Sequence, residues 1–157
     1  MNGFCSSPNL VPVFQSHVAR DAVSAGSQEQ ETGIVVGAVT VVDEDGAAAR
    51  ALARREVALY LPIVANLDPT VEMEPELSEQ IRVAAERFDF EQASRLISDE
   101  LLSKFAFTGT PRQIVEQASS LFAAGASRVE FGTPHGLTTE EGLRLLGKEV
   151  LPAIQNR

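Results

Sequence analysis

The residues able to do chemistry are few and far apart. The chain has one cysteine, Cys5, and two histidines, His17 and His135. They are too few and too scattered for a Cys/His zinc site, and no metal site is expected. A lone cysteine excludes an internal disulfide and suits a reducing compartment. No nucleophile elbow, P-loop or dinucleotide-binding glycine motif occurs, and nothing local assembles Ser, His and Asp into a triad, so no catalytic residue is assigned. Glu72, Glu74, Glu76 and Glu79 lack a second carboxylate cluster and read as a solvated loop and helix start. Arg50, Arg54 and Arg55 read as a solvated helix face with i,i+4 pairs. His17 lies beside the apolar face of Leu10, Phe14 and Val18 and reads as a partly buried structural residue.

Two segments retain interest. Asn2, Gly3, Phe4, Cys5, Ser6 and Ser7 lead into a helix start. Backbone N–H groups at such a start face an anion, although a cap and linker explain the same residues. Gly132-Thr133-Pro134-His135-Gly136 carries a hydroxyl and an imidazole that can reach a ligand. Its glycines and proline equally suit a turn that only redirects the chain.

The elements that position these segments alternate strand and helix. Ser7-Pro8 predicts a helix start, followed by Leu10, Phe14, Val18 and Ala22 at helical spacing, with Gly26 as its stop. Residues 27–32 read as a polar loop. Gly33 to Val42 is β-branched and apolar on both faces, as in a strand buried inside a parallel sheet. Asp43-Glu44-Asp45 ends it, and an alanine-rich helix is expected from about Gly46 to Ile63, burying Ala48, Leu52 and Leu59. Residues 66–76 read as an acidic loop. Helices are expected near 76–88, 90–97 and 99–105. Ile81, Ala84, Ala85 and Phe88 would form the buried face of the first. Asp89 and Ser98 would cap the other two.

Thr110, Pro111 and Gln113 form a capping box, followed by the face Ile114, Val115, Ala118, Leu121 and Phe122 and by Gly125 at C′. Arg128 to Phe131 reads as a short strand, and Gly132 to Gly136 as a loop. Thr138 and Glu141 suggest a second capping box. Its helix would reach about Gln155, weakened by Gly147 and Pro152. This order is α/β. It yields two firm strands and a stub at residues 1–4, too few for a stable sheet.

Composition bounds the function. With 157 residues, 44% hydrophobic, the chain suits one globular domain. Its 13 Lys+Arg against 22 Asp+Glu give a net charge of −9, which argues against nucleic-acid or anionic-membrane partners. No apolar run approaches the ~20 residues of a membrane helix. No basic signal-peptide region follows Met1, so a cytoplasmic location is expected.

Four stretches, taken in order, point to a family. They are Val41-Val42-Asp43-Glu44-Asp45 with its Ala/Arg-rich helix, Phe107-Thr108-Gly109-Thr110-Pro111, Val129-Glu130-Phe131-Gly132-Thr133-Pro134-His135-Gly136, and Leu145 to Pro152. From Asn2 to Pro152 the chain resembles the C-terminal part of the bacterial-luciferase-like oxidoreductases, nearest the coenzyme F420-dependent methylenetetrahydromethanopterin reductases. The resemblance implies a TIM-type (β/α)₈ barrel, which needs eight strands and about 250 residues. The chain would then hold the end of strand 6, strand 7 at 33–45, a helical insertion at 46–105, and a helix, strand 8 and the final helix at 106–157. It implies hydride transfer between coenzyme F420, or alternatively FMN, and a small-molecule substrate such as a methylene-tetrahydropterin. Because barrel sites lie at strand C-termini, it also implies cofactor-binding roles for Asn2, Gly3, Ser6, Ser7, Thr133 and His135. The expected partners are that substrate and either a second copy or a complementing N-terminal barrel half. The competing reading is a non-enzymatic, self-associating scaffold module, motivated by the missing strands.

Overall fold

The computed structural model describes residues 2–3, 6–25 and 33–155. Cys5, Gly26 and the 27–32 loop lie outside the described residues. The element order is β1 (Asn2–Gly3), α1 (Leu10–Ala25), β2 (Val35–Val42), α2 (Gly46–Ala58), α3 (Leu61–Val64) with a 3₁₀ turn at Ala65–Leu67, α4 (Pro75–Glu86), α5 (Phe90–Arg95), α6 (Asp99–Phe105), β3 (Ala106–Gly109), α7 (Pro111–Ala123), β4 (Arg128–Gly136), α8 (Thr139–Leu145), a π-helical turn at Leu146–Val150, and α9 (Leu151–Gln155).

All strand pairings are parallel and all involve β2. Asn2 and Gly3 pair with Val35 and Val36, and Ala106 to Gly109 with Val39 to Val42. These two strands share one edge of β2, end to end, because β4 runs along the other edge from Val35 to Val42. The stub and the short strand thus supply two of the missing neighbours. In sequence the stretch 106–109 reads only as the approach to a helix. It is a strand because fully buried Ala106 and Phe107 leave no water for the backbone, which then pairs with β2.

Val41 and Val42 are both fully buried and belong to different hydrophobic clusters. Successive strand residues point to opposite faces, so the upper part of β2 is covered on both sides. Val41 joins Ala49, Ala53, Val57, Leu61, Ile81, Leu102 and Phe105 of the helical region. Val42 joins Phe107, Ile114, Leu121, Leu145 and Val150 beneath α7 and the final helices. The lower part is more open, with Val35, Gly37 and Val39 half-buried.

Several expectations hold. Asp89 accepts from the Gln92 N–H at 3.0 Å, and Ser98 from that of Leu101 at 3.1 Å. The Thr110/Gln113 capping box forms, and Gly125 follows the Ala124 C-cap at φ +102°. Others are corrected. The alanine-rich helix breaks at Leu59-Tyr60, and its buried stripe is Ala49, Ala53, Val57 and Ala58 rather than Ala48, Leu52 and Leu59. Small residues at 49 and 53 face the sheet, while Leu59 sits exposed at the break. Phe88 lies past the end of α4, exposed at φ +60° and edge-on to Phe90. The second capping box is half made. Thr138 accepts from the Glu141 N–H at 3.3 Å, but the Glu141 carboxylate turns to Arg144 at 2.8 and 2.5 Å.

The junction of β4 and α8 is the tightest in the fold. A Cβ on Gly142 would lie 2.3 and 2.4 Å from the His135 carbonyl carbon and oxygen, and backbone cannot yield as a side-chain end can. Gly147, by contrast, has nothing within 4 Å. Gly142→Ala is expected to destabilise by about 3 kcal/mol or more, and Gly147→Ala to stabilise by about 0.5 kcal/mol. Urea unfolding of the two variants checks both signs.

The pairing with Arg144, with a smaller contribution from Lys148, holds the Glu141 carboxyl below its usual 4.5. A carboxyl depressed on folding stabilises above its unfolded pKa, and that contribution fades as pH falls through the lower folded value. Glu141→Gln should therefore melt slightly below the parent at neutral pH, and the gap should close as acid protonates the carboxylate. A persistent gap in acid would contradict this origin.

Candidate functional site

Several polar groups meet at the C-terminal end of the sheet. Asp43 at the end of β2 donates its N–H to the Gly109 carbonyl at 3.1 Å, tying β2 to β3. Asp45 caps α2, its Oδ1 accepting from Ala47 and Ala48 at 3.0 and 3.1 Å. Gln113 Oε1 accepts from the Thr110 N–H at 2.9 Å and from Arg50 at 3.5 Å. Gln117 closes the outer edge of β3. Its amide accepts from the Thr108 N–H and donates to the Thr108 carbonyl, both at 3.1 Å, as a neighbouring strand would. Gln117→Leu would leave both Thr108 groups unpaired, at about 1–3 kcal/mol each. The expected outcome is a lower urea midpoint and faster hydrogen exchange at the Thr108 amide, and unchanged exchange would contradict it.

Thr133 and His135 are not in a loop. The strand continues to Gly136, with Gly132 opposite Val39 and His135 opposite Val41. β4 thus carries one extra residue there, a bulge of the kind that re-aims side chains. The Thr133–Pro134 peptide is cis, Thr133 is exposed, and His135 has φ +79°. The His135 Nε2 lies 3.2 Å from the Phe131 carbonyl. A carbonyl only accepts, so Nε2 carries the proton and, in the neutral ring, Nδ1 is a bare acceptor. That Nδ1 is buried without a hydrogen-bond partner, and so is Thr108 Oγ1, the only other such side-chain atom among the described residues.

The remaining candidates are placed elsewhere. Asn2 and Gly3 pair at the start of β2, six residues or about 20 Å from the level of His135. The structure therefore does not bring those two pairs together. Ser6 and Ser7 are buried. The Ser6 N–H donates to the Lys104 carbonyl at 2.8 Å and its hydroxyl to the Ser103 carbonyl at 2.9 Å. Ser6 thus anchors the approach of α1 to the end of α6. The Ser7 carbonyl accepts from Leu10 at 3.2 Å, so the helix begins after Pro8-Asn9 rather than at Pro8. His17 is exposed, with Arg20 3.0 Å from its Nδ1, rather than partly buried. Arg54 bridges to the Ile97 carbonyl and to Asp99 across the helical region rather than along its own helix.

Spacing alone gives Thr108 no site role, because its stretch reads as a helix approach. The available signal was a β-branched residue alternating with Phe107 between a helix and a glycine. No group of three potential metal ligands occurs among the described residues, and none of their helices is long and apolar enough to cross a membrane.

A parallel sheet sandwiched by helices defines an α/β protein. Residues 5–128 match the luciferase-like monooxygenase family model, and the chain belongs to that family. It is 29% identical to a 5,10-methylenetetrahydromethanopterin reductase of Archaeoglobus fulgidus over 96% of this chain and 47% of that protein. It is 27% identical to the Methanopyrus kandleri enzyme of the same name over 94% of this chain and 42% of that one. Among solved structures, the coenzyme F420-dependent tetrahydromethanopterin reductase of Methanopyrus kandleri superposes with a TM-score of 0.83 at 25% identity. The match covers 98% of this chain and 44% of that one. The chain therefore spans a little under half the length of these relatives.

Proposed function

We propose that this chain forms the C-terminal part of a (β/α)₈ barrel oxidoreductase that moves hydride between coenzyme F420 and a small molecule of the methylene-tetrahydropterin type. The observation that carries this reading is the match to F420-dependent reductases over nearly the whole chain but under half of theirs. The sheet supports it. β4 pairs with β2 on one edge only among the described residues, and β1 covers only Val35 and Val36. Such edges want partner strands. In this reading β1 ends strand 6, β2 is strand 7, the all-helical 46–105 region is an insertion, and β4 is strand 8. A complementing N-terminal half is the natural partner, and a cytoplasmic location goes with it.

The bound coenzyme supplies the hydride chemistry, and the protein positions it and its substrate. The orphaned acceptor on His135 and hydroxyl on Thr108 fit an uncharged hydrogen-bonding edge. At the strand ends Arg50 bonds to Gln113 and Arg144 feels the charge of Glu44, and these two cations stand against the three carboxylates of Asp43, Glu44 and Asp45. This end of the sheet thus suits the ring of a ligand better than an anionic tail. Exposed Thr133 is left to contact ligand at the rim, and Ser6 and Ser7 support the wall between α1 and α6.

Fluorescence titration with coenzyme F420 tests the reading. The 157-residue chain alone is expected to bind at least about 100-fold more weakly than a chimera completed by the N-terminal part of the Methanopyrus kandleri reductase, since half a pocket loses several hydrogen bonds and its apolar cover. Tight stoichiometric binding by the chain alone would overturn the partial barrel. A folded chimera that binds no F420 would overturn the cofactor assignment.

A further inference from the structure

Thr108 and His135 sit on different strands, yet both lie opposite Val41, Thr108 from β3 and His135 from β4. The two residues therefore stand on either side of Val41, with Cα atoms two strand spacings, about 10 Å, apart. Thr108 is 5% exposed. A buried polar atom without a partner is costly, and here two different strands each hold one at the same level of the sheet. His135 adds a left-handed backbone, φ +79°, of the kind that collects at ligand sites. Its carbonyl is locked against Gly142, so the imidazole is aimed by rigid elements.

The chemistry of the two atoms is specific. Nδ1 needs a donor, because Nε2 already gives its proton to the Phe131 carbonyl. The Thr108 hydroxyl can give a hydrogen bond to an acceptor. A group presenting N–H beside C=O satisfies both. We propose that Thr108 and His135 form a two-point subsite for the lactam edge of a ring ligand. The ring N–H donates to His135 Nδ1, and the adjacent carbonyl accepts from Thr108 Oγ1. Pterins and deazaflavins both present such an edge. The proposal rests on the functional reading above and deepens it by naming the residues and the ligand edge they take.

The test uses the chain's small histidine content. His17→Gln removes the only other imidazole, so ¹⁵N-histidine NMR then reports His135 alone. The free protein should show the Nε2-protonated tautomer. Millimolar 6-methylpterin or 5-deazariboflavin, titrated separately, should shift the Nδ1 resonance saturably, and the arm that responds identifies the source of the edge. Thr108→Val should weaken that binding about tenfold and Thr108→Ser by less than about twofold, the size expected for one hydrogen bond lost or kept. An Nδ1 signal unmoved by both probes, as a trapped water alone would leave it, overturns the subsite. So does a response unchanged in Thr108→Val. A chimera that binds F420 while Nδ1 stays unmoved sinks the subsite alone. A pterin response in a chain whose folded chimera takes no F420 sinks the cofactor assignment alone.

Discussion

Strand β2 must be hydrogen-bonded on both edges and covered on both faces, and the rest of the chain is arranged around that demand. A parallel strand cannot pair with its neighbour in sequence through a tight turn, so each partner arrives by a long crossover. β1 comes from one end of the chain, β3 from beyond the helical region and β4 from beyond α7. One edge is shared, with β1 serving Val35 and Val36 and β3 serving Val39 to Val42. The handover lets Ser6 leave the sheet and bond to Ser103 and Lys104, which docks α1 against α6. The same arrangement sends Val41 into the helical cluster and Val42 into the cluster under α7 and α8. A single strand thereby couples two cores.

Most helices were legible because their signals are local. A hydroxyl or carboxylate ahead of an apolar period is a complete instruction, and Asp89, Ser98 and Thr110 follow it. The central strand was legible for a related reason, since Val and Thr on both faces suit a doubly covered strand. What escaped depends on distant partners. Ala106 to Gly109 becomes a strand only because β2 leaves an edge free beyond β1. Gly132 to Gly136 stays in the ladder, despite its turn-like composition, because β2 extends as far as Val42 to pair with it. Phe88 shows the converse error. Its spacing continues the α4 face, but the chain turns left-handed there and exposes the ring.

The candidate site divides along the same line. The resemblance placed ligand contacts at strand C-termini, and His135 lies at one. It also grouped Asn2 and Gly3 with His135, although they pair at opposite ends of β2. Sequence order carries no information on that separation, which is set by register. Thr108 could be recognised only once β3 was known, since its role follows from standing opposite Val41. The part of the site that spacing could not reveal is therefore the part built by pairing across strands.

His135 is the residue whose placement is hardest to explain by folding alone. Left-handed backbone at a side chain of this size costs about 1–3 kcal/mol, and glycine would remove that cost. Glycine is tolerated nearby, since Gly132 and Gly136 flank the position in the same strand. The imidazole adds a second cost, because Nδ1 is buried without a partner. Its one hydrogen bond, from Nε2 to the Phe131 carbonyl, returns about 1 kcal/mol, less than the two costs together. A histidine that opposes folding on two counts, while a rigid bulge and a glycine-packed helix hold it in place, is not accounted for by what the fold requires.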